Sequence, residues 1–382
     1  MMFEPKTLKA EAQAETGLSD FGAEPMDDGL SVFCAALGAE AGLNAAGAAA
    51  ARRGVVATLC ERLRLEDWLA RHPEILEQTL APQIFVVGLP RTGTTALSQF
   101  LSEDPAARSI RRWEVGTLTP PPDAAVAVDP RLLATREAFA ARDKAMPTLK
   151  TMLPVEAEDP SEHGPLLGLT FRNLQLPALY EAPSYTDWLL AADMTPAYAY
   201  FAKALKLLQW KTPGAVWNLK NPPDIFALDA MKAVFPDALF VWTHRDPALS
   251  IPSVCSLTGL LRSTSVDGLD KPAQMRAMLH FQAEGVRRAL AARARIGEAS
   301  FVDVTQADLA RDTIGVIREL YGRLGLAFTP AYEAHLRQRM ATRPRAQHGR
   351  HSYDPAEYGH SAEEIREPFA DYLARFKVAG PA

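Results

Sequence analysis

IFVVGLPRTGTTALSQFL, residues 84–101, is the segment from which the rest of the chain can be read. Ile84, Phe85, Val86 and Val87 form an apolar, largely β-branched run leading into Gly88; beyond Thr94 and Thr95 the apolar positions Leu97, Phe100 and Leu101 recur at helical spacing. The pattern is strand, tight loop, helix. In that arrangement the loop amides and the unpaired amides of the helix start converge on one spot of partial positive charge, which suits a phosphate. Gly88 and Gly93 have the spacing of a Walker A loop, but Thr94-Thr95 stands where Lys-Ser/Thr belongs, and the cation, Arg91, lies inside the loop. Gly, Pro and Thr are also ordinary residues of a βα turn, so the phosphate reading needs support from elsewhere in the chain.

A length of 382 residues accommodates two or three domains, or one large α/β domain with a helical attachment. Hydrophobic residues at 48% and charged residues at 23% are the balance of a soluble globular protein. A net charge of −5 gives no overall attraction to nucleic acid or anionic membrane, so a basic site must be local and small-molecule partners are expected. Cys34, Cys60 and Cys255 are odd in number and lack metal-ligand spacing, which fits a reducing cytoplasm and no metal. The N-terminus has no apolar core of signal-peptide type, and the Ala/Gly-rich stretch 33–51 is interrupted by Glu40 and Asn44, so no membrane span is expected. Oligomeric state, a homo-oligomer included, is left open.

Residues up to about 28 read as a partly ordered arm, and Leu30 to Leu76 as helical, with Asn44 capping a helix that His72-Pro73 ends. Residues 1–79 thus form an arm and helical cap, and residues 80–382 an α/β domain. The segment 102–123, ending in Pro120, Pro121 and Pro122, is too turn-rich for a long helix or a central strand and should cross the surface above the loop. Asp129-Pro130 starts a helix, and the irregular stretch 147–184 has the length of a substrate-shaping lid. A helix over 198–210, a strand over 215–219 ending in Lys220, a helix over 224–234 and a strand over 239–243 ending in His244-Arg245 follow. Helices over 272–294, 313–324 and 361–376 and a strand over 301–304 complete the pattern. Strand–helix–strand succession implies parallel pairing with right-handed crossovers, with ligands beyond the carboxyl ends of the strands. Gly88 to Thr95, Lys220 and Arg245 all fall at those ends.

A loop serving a nucleoside triphosphate needs Mg²⁺ held by a carboxylate at a second strand end. Here those ends carry Lys220 and Arg245, which argues against a metal-dependent kinase or NTPase and suits an anionic donor with phosphates at more than one position. At this point the chain resembles the sulfotransferases that use 3′-phosphoadenosine 5′-phosphosulfate (PAPS), of the bacterial kind related to the tyrosylprotein and cytosolic enzymes. Pro90-Arg91-Thr92-Gly93-Thr94-Thr95 is similar to the family's 5′-phosphosulfate loop. Arg245 and Ser253, eight residues apart in RDPALSIPS, resemble its 3′-phosphate motif, and the similarity extends through LKNPPD, THRDP and HGRHSY, over residues 80 to 376.

The resemblance implies a P-loop-like, three-layer α/β core with a central parallel sheet, and transfer of sulfuryl from PAPS to a hydroxyl of a small-molecule acceptor by in-line attack. Donor binding falls to Arg91, Thr92, Gly93, Thr94, Thr95, Arg245, Ser253 and Arg350. Arg91 is expected to neutralise charge on the bridging oxygen electrostatically, and Lys220 to contact the sulfuryl group or the donor. The acceptor needs a general base. Glu114 is expected to serve, with a solvated or Arg-paired carboxylate beside Arg111 and Arg112 as its structural alternative. Pro222 and Asp224 stand where relatives place a His; Asp224, as base or helix cap, and His163 are the other candidates. A sulfotransferase-like PAP- or PAPS-binding protein without turnover is the competing reading, and a P-loop kinase or NTPase a weaker one.

Overall fold

The structure, a computed structural model, describes residues 2–342, 355–378 and 380. Five strands build one sheet: β1 (Gln83–Gly88), β2 (Ala107–Ser109), β3 (Val216–Lys220), β4 (Leu239–His244) and β5 (Phe301–Thr305), in the order β2-β3-β1-β4-β5 with every pairing parallel. The register sets Val86 opposite Lys220 and Gly88 opposite Thr243, so the carboxyl ends of β1, β3 and β4 share one edge. β1 is buried along its whole length, as a central parallel strand covered on both faces must be. Phe85 and Val87 point to one face and Ile84 and Val86 to the other. Each of these buried side chains contributes about 1.5–3 kcal/mol by leaving water.

One face is covered by α1 (Pro5–Thr16), α2 (Asp27–Ala39), α3 (Ala45–Arg71) and other helices whose apolar residues, Leu8, Leu30 and Leu59 among them, share a continuous core with Phe85, Trp217 and Phe240. The other face is covered by α4 (Thr94–Leu101) and by helices after β5, which pack Leu97, Phe100, Ile317 and Tyr332 on Ile84, Val86 and Val241. The result is the three-layer α/β fold. The cap is joined to the sheet by residues 78–82, and Gln209 holds that link through Ala81 N (3.1 Å) and Thr79 O (2.9 Å).

The remaining elements that matter for the site are α5 (Arg112–Val115), α6 (Pro130–Ala145), α7 (Pro147–Met152), α8 (Leu176–Leu179), α9 (Thr195–Gln209), α10 (Pro247–Arg262), α11 (Lys271–Ile296) and α12 (Pro330–Thr342). Two caps fall where the sequence places them: Asn44 Oδ1 accepts from Gly47 N (2.8 Å), and Asp129 caps α6; Asp246 caps α10.

Four expectations need correction. Residues 5–16 are helix instead of a loose arm: Leu8 and Ala12, four apart, form a two-residue stripe buried against α3, too narrow to register as periodicity. The crossing segment supplies the edge strand β2, only three residues long and therefore without a visible alternation. The helix expected over 224–234 is split into a 3₁₀ turn, Pro222–Phe226, and Leu228–Val234, because Pro222-Pro223 favours the tighter start. The last helix is likewise interrupted over Glu367–Phe369, at Pro368.

Candidate active site

β1 delivers the chain into the loop at Gly88, where φ is 138° and an added Cβ would lie 2.6 Å from Thr243 O; only glycine allows β1 and β4 to sit this close. Arg91 and Gly93 also take positive φ, 65° and 97°, which curls the loop before α4 begins. Thr92 is fully buried, and its hydroxyl bonds Leu89 O and Thr243 Oγ1, both at 2.6 Å. Its side chain pins the loop to β4, so only its main chain is left for a ligand. Gly93 is the N-cap of α4, which leaves the first amides of that helix without intrahelical partners. Pro90, Arg91, Gly93, Thr94 and Thr95 line a cavity of about 990 Å³.

Two further elements bring a hydroxyl and a cation to this loop. Arg91 Nε donates to Ser253 Oγ on α10 (3.2 Å), and Arg245 Nη1, just beyond β4, donates to Arg91 O (3.0 Å). The three residues expected to handle two phosphates therefore meet, although 162 and 154 positions separate the bonded pairs in the chain. Arg245 lines the cavity, and its Nε is buried without a hydrogen-bond partner among the described residues. Its neighbour His244 is buried in the strand end, with Nε2 2.8 Å from Asp303 and Nδ1 3.1 Å from the Tyr372 hydroxyl. Burial holds this imidazole below its ordinary pKa, the Asp303 carboxylate opposing.

Lys220 is not the exposed strand-end lysine its sequence position allows: it is 1% exposed, and its Nζ donates to Glu162 Oε1 at 2.6 Å. Glu162 lines the cavity and Lys220 lies behind it. Burial pushes the Lys220 ammonium below its ordinary pKa; Glu162 opposes this, and Arg112 and Arg91 reinforce it. Burial works to raise the Glu162 carboxyl, but Lys220, with Arg112 and His163, outweighs it and holds the group below the ordinary carboxylate range. Gln175 Nε2 donates to Glu162 Oε2 and to Asn221 Oδ1 (3.1 Å), tying the carboxylate to the turn after β3. Arg112 also lines the cavity, and its Nε is buried without a hydrogen-bond partner among the described residues.

The residues expected to act as base are placed elsewhere. Glu114 is 2% exposed and does not line the cavity; Arg108 grips it through two nitrogens (2.6 and 3.1 Å), and its Oε2 accepts from Arg111 N (2.7 Å) in the capping box of α5. The carboxylate is buried and Arg-paired, not solvated, and its side-chain partner is Arg108 instead of the adjacent Arg111 or Arg112. His163 and Asp224 are both fully buried, Nε2 2.7 Å from Oδ2. His163 stacks on Phe201, while Asp224 accepts from the Tyr198 hydroxyl (2.9 Å) and Asn221 Nδ2 (2.6 Å). Neither reaches the cavity. Arg350, with the other basic tail residues from Arg343 to His351, lies outside the described residues.

Sequence reasoning passed over Glu162 and Arg112. The only signal for Glu162 was its place in the acid-rich patch beside His163, and nothing local distinguishes it from Glu156 or Glu158. Among the described residues no group of three or more His, Cys, Asp or Glu could hold a metal ion, and no helix is long and apolar enough to cross a membrane.

With β1, its glycine loop and α4 at the centre of a parallel sheet and cations at the neighbouring strand ends, the architecture is that of sulfuryl-transferring enzymes, and the comparisons agree. The model of the sulfotransferase family matches residues 82–330, and the chain belongs to that family. The structure is similar to that of sulfotransferase STF9 from Mycobacterium avium, with a TM-score of 0.90, 30% identity and coverage of 98% of this chain and 97% of that one. Sulfotransferase STF1 from Mycobacterium tuberculosis gives 0.81 at 30% identity, covering 96% and 98%. Among curated proteins, the omega-hydroxy-beta-dihydromenaquinone-9 sulfotransferase Stf3 of Mycobacterium bovis is 26% identical over 290 residues, 68% of this chain and 67% of the relative.

Proposed function

We propose that the protein transfers the sulfuryl group of PAPS to a hydroxyl of a small-molecule acceptor. The observation that carries this reading is the meeting of Arg91, Arg245 and Ser253 at the glycine loop, a site built from three chain segments for more than one phosphate. The buried, unpartnered Nε of Arg245 fits an anion that the protein itself does not supply. In this reading the amides of Gly93, Thr94 and Thr95 and the two threonine hydroxyls hold the 5′-phosphosulfate, and Arg245 with Ser253 the 3′-phosphate.

The acceptor oxygen attacks sulfur in line with the bond to the 5′-phosphate; the new S–O bond forms as that bond breaks, and adenosine 3′,5′-bisphosphate (PAP) leaves. Arg91 offsets the charge gathering on the departing oxygen, and as a guanidinium it does so without giving up a proton. The acceptor proton passes to Glu162, which stands in the cavity where Glu114 does not. Lys220 is a positioning residue that keeps Glu162 ionised and aimed. Arrival of a multiply anionic donor raises the proton affinity of Glu162, which makes it a better base when it is needed. Like the curated relative, whose name specifies a hydroxylated dihydromenaquinone, this chain is read as acting on an alcohol or phenol. Mg²⁺ has no part in this reading. Calorimetric titration with PAP tests it: saturable binding in the presence of a chelator is expected, and binding that requires Mg²⁺, or no binding, refutes it.

A further inference from the structure

Five arginines carry a buried Nε without a hydrogen-bond partner among the described residues: Arg108, Arg112, Arg172, Arg245 and Arg262. Three of them hold carboxylates on their terminal nitrogens, Arg108 that of Glu114, Arg172 that of Asp28 and Arg262 that of Glu181. Arg112 and Arg245 have no carboxylate within ion-pair distance among the described residues, and these two line the cavity. A guanidinium removed from water with no carboxylate against it is costly, so two of them on one cavity point to a ligand with negative charge at two places. Arg245 is accounted for by the 3′-phosphate. Arg112 is left over.

The chain brings Arg112 to the first turns of α4. Residues 110–113 run beside 157–161: Ser161 N donates to Ile110 O (2.7 Å), Arg112 N to Asp159 O (3.1 Å) and Trp113 N to Ala157 O (3.3 Å), and Arg111 and Pro160 form an antiparallel bridge. Asp159 fastens this ribbon to α4, its Oδ2 accepting from Gln99 Nε2 (3.1 Å). Gln99 lies one helical turn beyond Thr95 and lines the cavity with it. Glu162 follows the same ribbon directly and holds Lys220. Arg112 therefore enters the cavity beside both the loop's helix and Glu162. The electrostatics agree, since Arg112 and Arg91 both act on the buried Lys220 ammonium and push its pKa down. Lys220, the expected sulfuryl contact, is itself spent on Glu162 and lies behind it.

We propose that Arg112 grips the non-bridging oxygens of the sulfuryl group, the contact that Lys220 is not placed to make. This rests on the proposed sulfuryl transfer and adds a catalytic residue to that same site. The planar fork of a guanidinium matches two oxygens of a tetrahedral anion at once, which fixes orientation as well as charge. No bond to Arg112 forms or breaks. As the S–O bond to the 5′-phosphate breaks, charge moves off the sulfuryl oxygens and onto the departing oxygen, where Arg91 meets it. Arg112 works by binding the group and holding sulfur in line between that oxygen and the acceptor.

PAPS and PAP differ only by the sulfuryl group, so calorimetric titration of both, without acceptor, isolates the contact. Arg112→Gln should weaken PAPS by about tenfold or more and leave PAP unchanged, and kcat/KM for PAPS should fall by at least the same factor. Arg112→Lys keeps the charge without the fork and should show a smaller loss, again confined to PAPS; it carries the test if the glutamine variant does not fold. A merely structural role would weaken both nucleotides alike, and that result overturns the proposal. Unchanged PAPS affinity with a raised KM for the acceptor overturns it too, and places Arg112 on the acceptor. Wild-type protein that binds neither nucleotide overturns the transfer reading itself.

Discussion

Replacing Arg245 by methionine isolates one half of the donor site. In the free protein the substitution removes the bond from Nη1 to Arg91 O and relieves an unpartnered buried Nε, so the cost to stability should be small, about 1 kcal/mol. With PAP bound, the loss is a charge-assisted bond to the 3′-phosphate, about 1.5–3 kcal/mol. At 1.4 kcal/mol per decade this weakens PAP by roughly 10- to 150-fold. Adenosine 5′-monophosphate has no 3′-phosphate, so its affinity should be unchanged by the substitution. Calorimetric titration of both nucleotides against both proteins reads the difference directly. Equal weakening of the two, or undiminished PAP binding, would refute the assignment of Arg245 to the 3′-phosphate.

Glu162→Gln should lower kcat by about 10²- to 10⁴-fold with PAP affinity retained, and should abolish the acid limb of the pH profile, since activity falls as Glu162 becomes protonated and glutamine has no proton to take. Glu114→Ala should act on stability instead: it strands the buried Arg108, which costs about 3–5 kcal/mol of unfolding free energy, while kcat of the folded enzyme stays near wild type. Burial opposes ionisation of Asp303, but hydrogen bonds from Arg293 and His244 outweigh it and depress its pKa. That carboxylate therefore contributes stability present above the ordinary Asp pKa of about 3.9 and lost as pH falls below it; thermal melts of Asp303→Asn should show a shallower acid decline than wild type.

How much of this was legible in the chain depended on the range of the signal. The loop could be read because a β-branched run, two glycines and a helical repeat lie within eighteen residues, and its partner Arg245–Ser253 because a strand end and about two helix turns fix the spacing. Asn44 and Asp129 announced their caps because capping is a contact between near neighbours. The carboxylate proposed as proton acceptor was not legible, because its identity depends on which carboxylate the segment 147–184 brings to Lys220. Glu114 and Glu162 both lie in segments without a readable sequence pattern; Arg108 claims the first, and the cavity receives the second. The same holds for α1, whose two buried residues gain their meaning only when α3 lies beside them.

The most direct test of sulfuryl transfer is to incubate the purified protein with PAPS and a panel of small hydroxylated compounds and to follow donor and products by mass spectrometry. The account predicts a sulfated product and PAP in equal amounts, with formation slowed by Glu162→Gln. PAPS bound but never consumed, or PAP released without a sulfated product, would contradict it.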